Sequence, residues 1–159
     1  MDRRPHPADP PPAEPARPAG PATGGPPRPE LCVGVIATDA DTLLLVRRGR
    51  EPGAGRWSVP GGRVEPGETL AEAVVRELAE ETGLEGVCDE LVGWVERISP
   101  ARHFVVLDFR ARVLTSGDPV AGGDAVEARW VPLDEVAALD LVDGLAEFLH
   151  EHGVLPTIA

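Results

Sequence analysis

Apolar residues along the chain change their spacing several times, and each change marks an element. "LCVGVIAT" (31–38) is a continuous apolar, β-branched run that predicts a buried strand. The acidic turn "DADT" follows, then "LLLVRR" (43–48), so the two runs predict a hairpin. "GREPGAGRWSVPGG" (49–62) has no period, and its glycines and prolines predict a loop with a short extended piece at Trp57–Val59. At Thr69 the spacing becomes helical. Thr69 and Glu72 make a capping box, Leu70, Val74 and Leu78 recur every four residues, and Gly83 supplies the stop. Ala71 and Val75 widen this stripe, which is expected to pack on a sheet with Arg76, Glu77, Glu80 and Glu81 on or beside the opposite face. Strands resume at "LVGWVERI" (91–98) and "HFVVLDFRARVL" (103–114), where Val105, Leu107, Phe109, Ala111 and Val113 share one face. "EARWVPL" (127–133) predicts a short strand, "LDEVAAL" a helical turn and "VDGLAEFLHEHG" a last helix ended by Gly153. The order β-β-loop-α-β-β-β-α predicts an α/β (α+β) fold, a mixed sheet sandwiched between helices.

Composition separates the first 29 residues from the rest. They are rich in Pro and Ala and contain no Leu, Ile, Val or aromatic residue, so they have too little apolar surface to fold. No apolar stretch follows the arginines, which excludes a secretory signal, and Pro throughout breaks the helix a transit peptide needs. Residues 1–29 are therefore expected to be a disordered tail, with a PPII linker or partner-docking segment as its second use, and 30–159 one domain. The tail carries Arg3, Arg4, Arg17 and Arg28 against Asp2, Asp9 and Glu14, so the domain holds essentially all of the net charge of −12. Such acidity disfavours nucleic acid and anionic membranes, and a phosphate-rich substrate would need cations between it and the protein. Cys32 and Cys88 lie far apart without metal-ligand spacing, so they are expected to be buried free thiols in a cytoplasmic protein. No 18-residue apolar run exists to span a membrane. The chain has no lysine, which excludes a P-loop lysine and a Schiff-base nucleophile.

The helix from Thr69 ends strangely. In "RELAEETG" Glu77 faces Glu80 and Glu81 at i+3 and i+4, and each like-charge pair costs ~0.2–0.5 kcal/mol. Glu80 and Glu81 also oppose the dipole in the last turn, at ~0.3–1 kcal/mol each. Arg76 alone offers local relief. A solvated acidic face is the plain reading. The sharper one is a divalent-cation site, where oxygen ligands converge and the ion removes their repulsion. Gly61 and Gly62, just after the extended piece, favour the second, because backbone without Cβ can approach the ions and offer a carbonyl.

From Gly62 to Leu84 the chain reads G-x5-E-x7-R-E-L-x-E-E-x-G-L without departure, after the lead-in "GRWSVPGG". This stretch resembles the Nudix box, the signature of enzymes that hydrolyse nucleoside diphosphates linked to another moiety. The resemblance implies a Nudix-like α/β/α sandwich and Mg²⁺ as cofactor, with Mn²⁺ as the other ion in question. It implies that Glu77, Glu80 and Glu81 are metal ligands joined by the Gly61 carbonyl. It further implies that Arg76 orients these glutamates and that Glu68 is its partner. Some relatives take a general base from a later loop, and Glu127 is the first choice here, with Asp124 and Glu96 behind it. The substrate is expected to be a small nucleotide, ADP-ribose or a related nucleotide-sugar first, a MutT-type oxidised nucleoside triphosphate second. A nucleotide-sensing regulator is the reading from another class, disfavoured by the intact glutamate set; a homodimer stays open. Arg47, Arg48 and Arg50 are either solvated edge residues or phosphate contacts. His103 is expected at the surface, His150 and His152 in the last turn of the final helix, and Trp57, Trp94 and Trp130 in the core.

Overall fold

The computed structural model describes residues 24–156. In chain order it runs β1 (Pro29–Asp39), β2 (Thr42–Arg48), β3 (Trp57–Ser58), β4 (Gly61–Arg63), α1 (Leu70–Thr82), β5 (Gly86–Ile98), β6 (His103–Val113), β7 (Ala125–Pro132), α2 (Leu133–Val136) and α3 (Leu145–Glu151). The sheet is mixed and seven-stranded, in the order β3-β2-β1-β6-β5, with β4 added to β1 and β7 to β2. β1 pairs with β6 in parallel and with β2 and β4 antiparallel.

The apolar face of each strand decides which helix it receives. Val33, Val35, Ala37 and Leu44 look one way and pack with Ala73, Val74 and Leu78 of α1. Ile36, Leu43 and Leu45 look the other way and pack with Val136, Leu145, Phe148 and Leu149 of α2 and α3. The central strands are thus apolar on both faces, which is why "LCVGVIAT" and "LLLV" show no alternation. The sandwich expected from the element order is the one observed.

Several boundaries move, each for a physical reason. β1 opens at Pro29, inside the segment assigned to the tail, because Pro29 to Ala37 lie in register against His103 to Ala111. Residues 1–23 lie outside the described residues. The glycine loop contains a strand, β4, held by pairing Gly61 with Gly34, Gly62 with Val33 and Arg63 with Cys32. β5 begins five residues earlier than expected and carries two register shifts, between Cys88 and Leu91 and between Leu91 and Gly93, which hid its period. Of the tryptophans, Trp57 is in the core, whereas Trp94 on the edge strand β5 is 63% exposed. Cys32 is buried as expected, but Cys88 only partly so, and both are free thiols.

Candidate active site

The helix α1 is capped as its sequence predicts. Thr69 and Glu72 exchange side-chain-to-backbone bonds of 3.1 and 2.8 Å, and Gly83 ends the helix in the left-handed region at φ 68°. Its buried stripe, however, differs from expectation. Glu77 and Glu81 belong to it, together with Ala73, Val74, Leu78 and Thr82, while Ala71 and Val75 lie outside. Residues 73, 77 and 81 form one i, i+4, i+8 row beside the row 74, 78, 82, so the stripe continues onto the two glutamates. They are 8% and 9% exposed.

β4 is what covers them. The Gly61 N–H donates to Glu81 Oε2 at 3.0 Å. A Cβ built on Gly62 would lie 2.3 Å from Glu77 Oε1, so only glycine leaves room for that carboxylate. Arg76 gathers the rest. Its Nε and Nη2 donate to the two Glu68 oxygens at 2.7 and 2.8 Å, and Nη1 reaches Glu77 at 2.9 Å and Glu80 at 3.1 Å. Nη2 also donates to the Arg63 carbonyl at 3.0 Å, tying the cluster to β4. These hydrogen bonds hold the Glu68 carboxyl down at about 2 and raise the Arg76 guanidinium further.

Burial acts oppositely on the covered pair. Desolvation raises Glu77, against the pull of Arg76. It pushes Glu81 up to about 7, with the Glu77 charge adding and the Gly61 N–H opposing. Two carboxylates held out of water and close enough to repel one another fit the donor set of a hard divalent ion. Among the described residues no three acidic, His or Cys side chains already converge on one point, since Glu80 turns outward to Arg76 with its side chain 53% exposed.

The other expected residues fall into two groups. Asp124 and Arg48 lie near enough for their charges to be felt at Glu81, and Asp124 pairs with Arg50 at 3.0 Å. Glu127 stands on β7 opposite Arg47 and is held between Arg47 and Arg129, at 3.1 and 3.2 Å. Glu96 lies on the edge strand β5 and pairs with His103 at 3.3 Å. A buried acid that sequence reasoning passed over is Asp108, 6% exposed, on β6. Its signal was an acidic residue at the centre of the apolar run "HFVVLDF".

A model of the NUDIX domain matches residues 28–152, nearly the whole described chain. The chain belongs to the Nudix family. A protein from Mycobacterium tuberculosis named putative 8-oxo-dGTP diphosphatase 2 is 57% identical over 125 residues, 69% of this chain and 87% of the relative. An ADP-ribose pyrophosphatase from Methanocaldococcus jannaschii is 39% identical over 108 residues, 67% of this chain, and the chain spans 63% of that relative's length. The fold resembles the crystal structure of a MutT protein from Methanosarcina mazei Go1, with a TM-score of 0.71 and 26% identity, covering 80% of this Nudix chain and 95% of the other.

Proposed function

We propose that this Nudix chain is a divalent-metal-dependent hydrolase that cleaves a diphosphate bond in a nucleoside diphosphate linked to another moiety. The observation that carries it is the burial of Glu77 and Glu81 under two glycines, an arrangement unfavourable to a helix unless a cation shares the site. Glu77, Glu80, Glu81 and the Gly61 carbonyl would hold Mg²⁺ or Mn²⁺. A bound ion supplies charge neutralisation for the diphosphate and lowers the pKa of the attacking water. Arg76, itself held by Glu68, fixes Glu77 and Glu80, and the absence of Cβ at Gly62 lets Glu77 approach the backbone. Asp124 is the better placed of the base candidates, because Glu127 is occupied by two arginines. A cytoplasmic location accompanies this reading, supported by two unpaired thiols. Among the described residues no helix is long and apolar enough to cross a membrane.

Two substrate readings have support. ADP-ribose or a nucleotide-sugar, split to a nucleoside monophosphate and a sugar phosphate, is favoured by the name of the archaeal relative. A nucleoside triphosphate, split to a monophosphate and pyrophosphate, is favoured by the more identical mycobacterial relative. Product chromatography on a panel of both classes separates them. Glu81→Gln should lower kcat by two or more orders of magnitude on whichever substrate turns over, and excess EDTA should stop the wild-type chain. Undiminished turnover in either case would refute the metal-dependent reading.

A further inference from the structure

Across four strands, one row of the sheet is almost bare. Gly61 of β4, Gly34 of β1, Asp108 of β6 and Gly93 of β5 stand in register. Residues in register share a face, so Asp108 is the one side chain this row presents on the side of α3. Both flanking glycines are needed there. A Cβ on Gly34 would lie 1.8 Å from Asp108 Oδ1, and a Cβ on Gly93 would lie 2.5 Å from His152 Nε2. The carboxylate therefore lies over Gly34, on the side of the row that leads to Gly61 and its bond with Glu81.

Asp108 is buried, yet no hydrogen bond or ion pair reaches it from the described residues. Its two basic neighbours, Arg97 and His152, are the charges felt there, and both are engaged elsewhere. Arg97 Nη2 donates to the Asp143 carbonyl. His152 Nδ1 donates to the Phe148 carbonyl, so the neutral ring offers Nε2 only as an acceptor. Burial lifts the Asp108 carboxyl to about 6. No fully sealed side-chain oxygen among the described residues lacks a partner, so the Asp108 oxygens keep an opening. A buried carboxylate without donors is expensive, and an apolar residue would serve packing better. Its donors are left to water or to a bound ligand.

Neighbouring strands lie ~4.8 Å apart, which places Asp108 about 10 Å from Gly61 along the row. That is the reach from the phosphates of a nucleotide, across its sugar, to the edge of its base. We propose that Asp108 reads the base at this diphosphate site and selects a nucleotide whose base offers two adjacent N–H donors, the guanine edge. An ionised aspartate only accepts, through two oxygens. Guanine presents N1–H beside N2–H, and its C8-oxidised form keeps that edge. Adenine and cytosine set an acceptor beside their amino group, and uracil flanks one N–H with two carbonyls. The inference rests on the hydrolase reading and chooses within it, favouring a guanine nucleoside triphosphate over ADP-ribose, whose base is adenine.

The test is calorimetric binding of GMP, AMP, CMP and UMP to the full chain with Mg²⁺ at pH 8, which requires no turnover. Failure of the hydrolase reading would appear instead as absent hydrolysis, a separate measurement. GMP should bind at least about tenfold more tightly than the other three. Asp108→Asn, which replaces one acceptor by a donor, should lose about tenfold or more for GMP and stay within about threefold for the others. Equal affinity for all four, no binding by any, or a GMP preference that survives Asp108→Asn would overturn the proposal. Should the variant fail to fold, the ranking on the wild-type chain decides alone.

Discussion

Arg76 shows how much one side chain can hold. It bonds Glu68 through two donors and reaches Glu77, Glu80 and the Arg63 carbonyl besides. Arg76→Ala should destabilise the metal-free protein by about 3–5 kcal/mol in urea unfolding, because buried carboxylates lose their counter-charge. Arg76→Lys should recover only part, since an ammonium cannot match the two-pronged bond to Glu68. Asp108 contributes to the pH behaviour beside Glu77 and Glu81, whose carboxyls burial also raises. Its folded value, about 6, is above its ordinary 3.8. The stability it contributes is therefore fully present below about pH 4 and is lost as pH rises through about 6. Asp108→Asn escapes this loss. It should be more stable than wild type at pH 8, by up to roughly 3 kcal/mol, with the advantage vanishing near pH 4. An advantage independent of pH would show that ionisation is not the cause. At this scale the sequence was unevenly legible. Glu77, Glu80, Glu81 and Arg76 announce themselves through spacing on one helix. Asp108 is a single residue whose meaning depends on Gly34 and Gly93, and nothing in the sequence says that these three stand abreast.

Among the elements, α1 was the most legible and β4 the least. A capping box, a four-residue repeat and a glycine stop all agree over Thr69–Gly83. Thr69→Ala should cost about 1 kcal/mol in the same unfolding measurement. β4 is Gly-Gly-Arg, without strand propensity, and exists because β1 supplies its partner. Its glycines serve the neighbouring carboxylates. Gly62→Ala should push Glu77 out of place, so that kcat falls by an order of magnitude or more while circular dichroism still reports a folded chain. Full activity in that variant would mean that Glu77 moves aside freely. The side of α1 on which Glu77 and Glu81 lie was misjudged because the apolar residues alone draw too narrow a stripe. Once Ala73 and Thr82 are included, the two glutamates fall inside it.

For the whole molecule, charge and composition were the informative signals. Several arginines of the acidic domain are committed to carboxylates, including Arg47 with Glu127 and Arg50 with Asp124, while Arg48 donates to the Pro52 carbonyl. Attraction for a polyanionic substrate must then come chiefly through bound cations. Deleting residues 1–23, so that the chain begins at Gly24, should leave Tm and kcat unchanged, because that segment lacks the apolar residues a docked contact requires. A fall in either would show that the segment binds the domain or a second copy. The cut must not go deeper, since Pro29 and Glu30 belong to β1 and Glu30 pairs with Arg63 at 2.8 Å.

The parallel pairing of β1 with β6 also bears on how the chain matures. β1 is made first, but its parallel neighbour follows only after β2, β3, β4, α1 and β5. Contacts between segments so far apart close a large loop and form slowly. Thr69–Gly83 carries its own start, repeat and stop, and β4 pairs with β1, so the segments around the glutamates are all synthesised before the row that contains Asp108. A nascent chain released from the ribosome tunnel only as far as β5 carries the glutamates proposed to hold the cation but lacks Asp108, the residue proposed to read the base. On this reading, recognition of the nucleotide follows the cation site during synthesis and precedes the general-base candidates at Asp124 and Glu127.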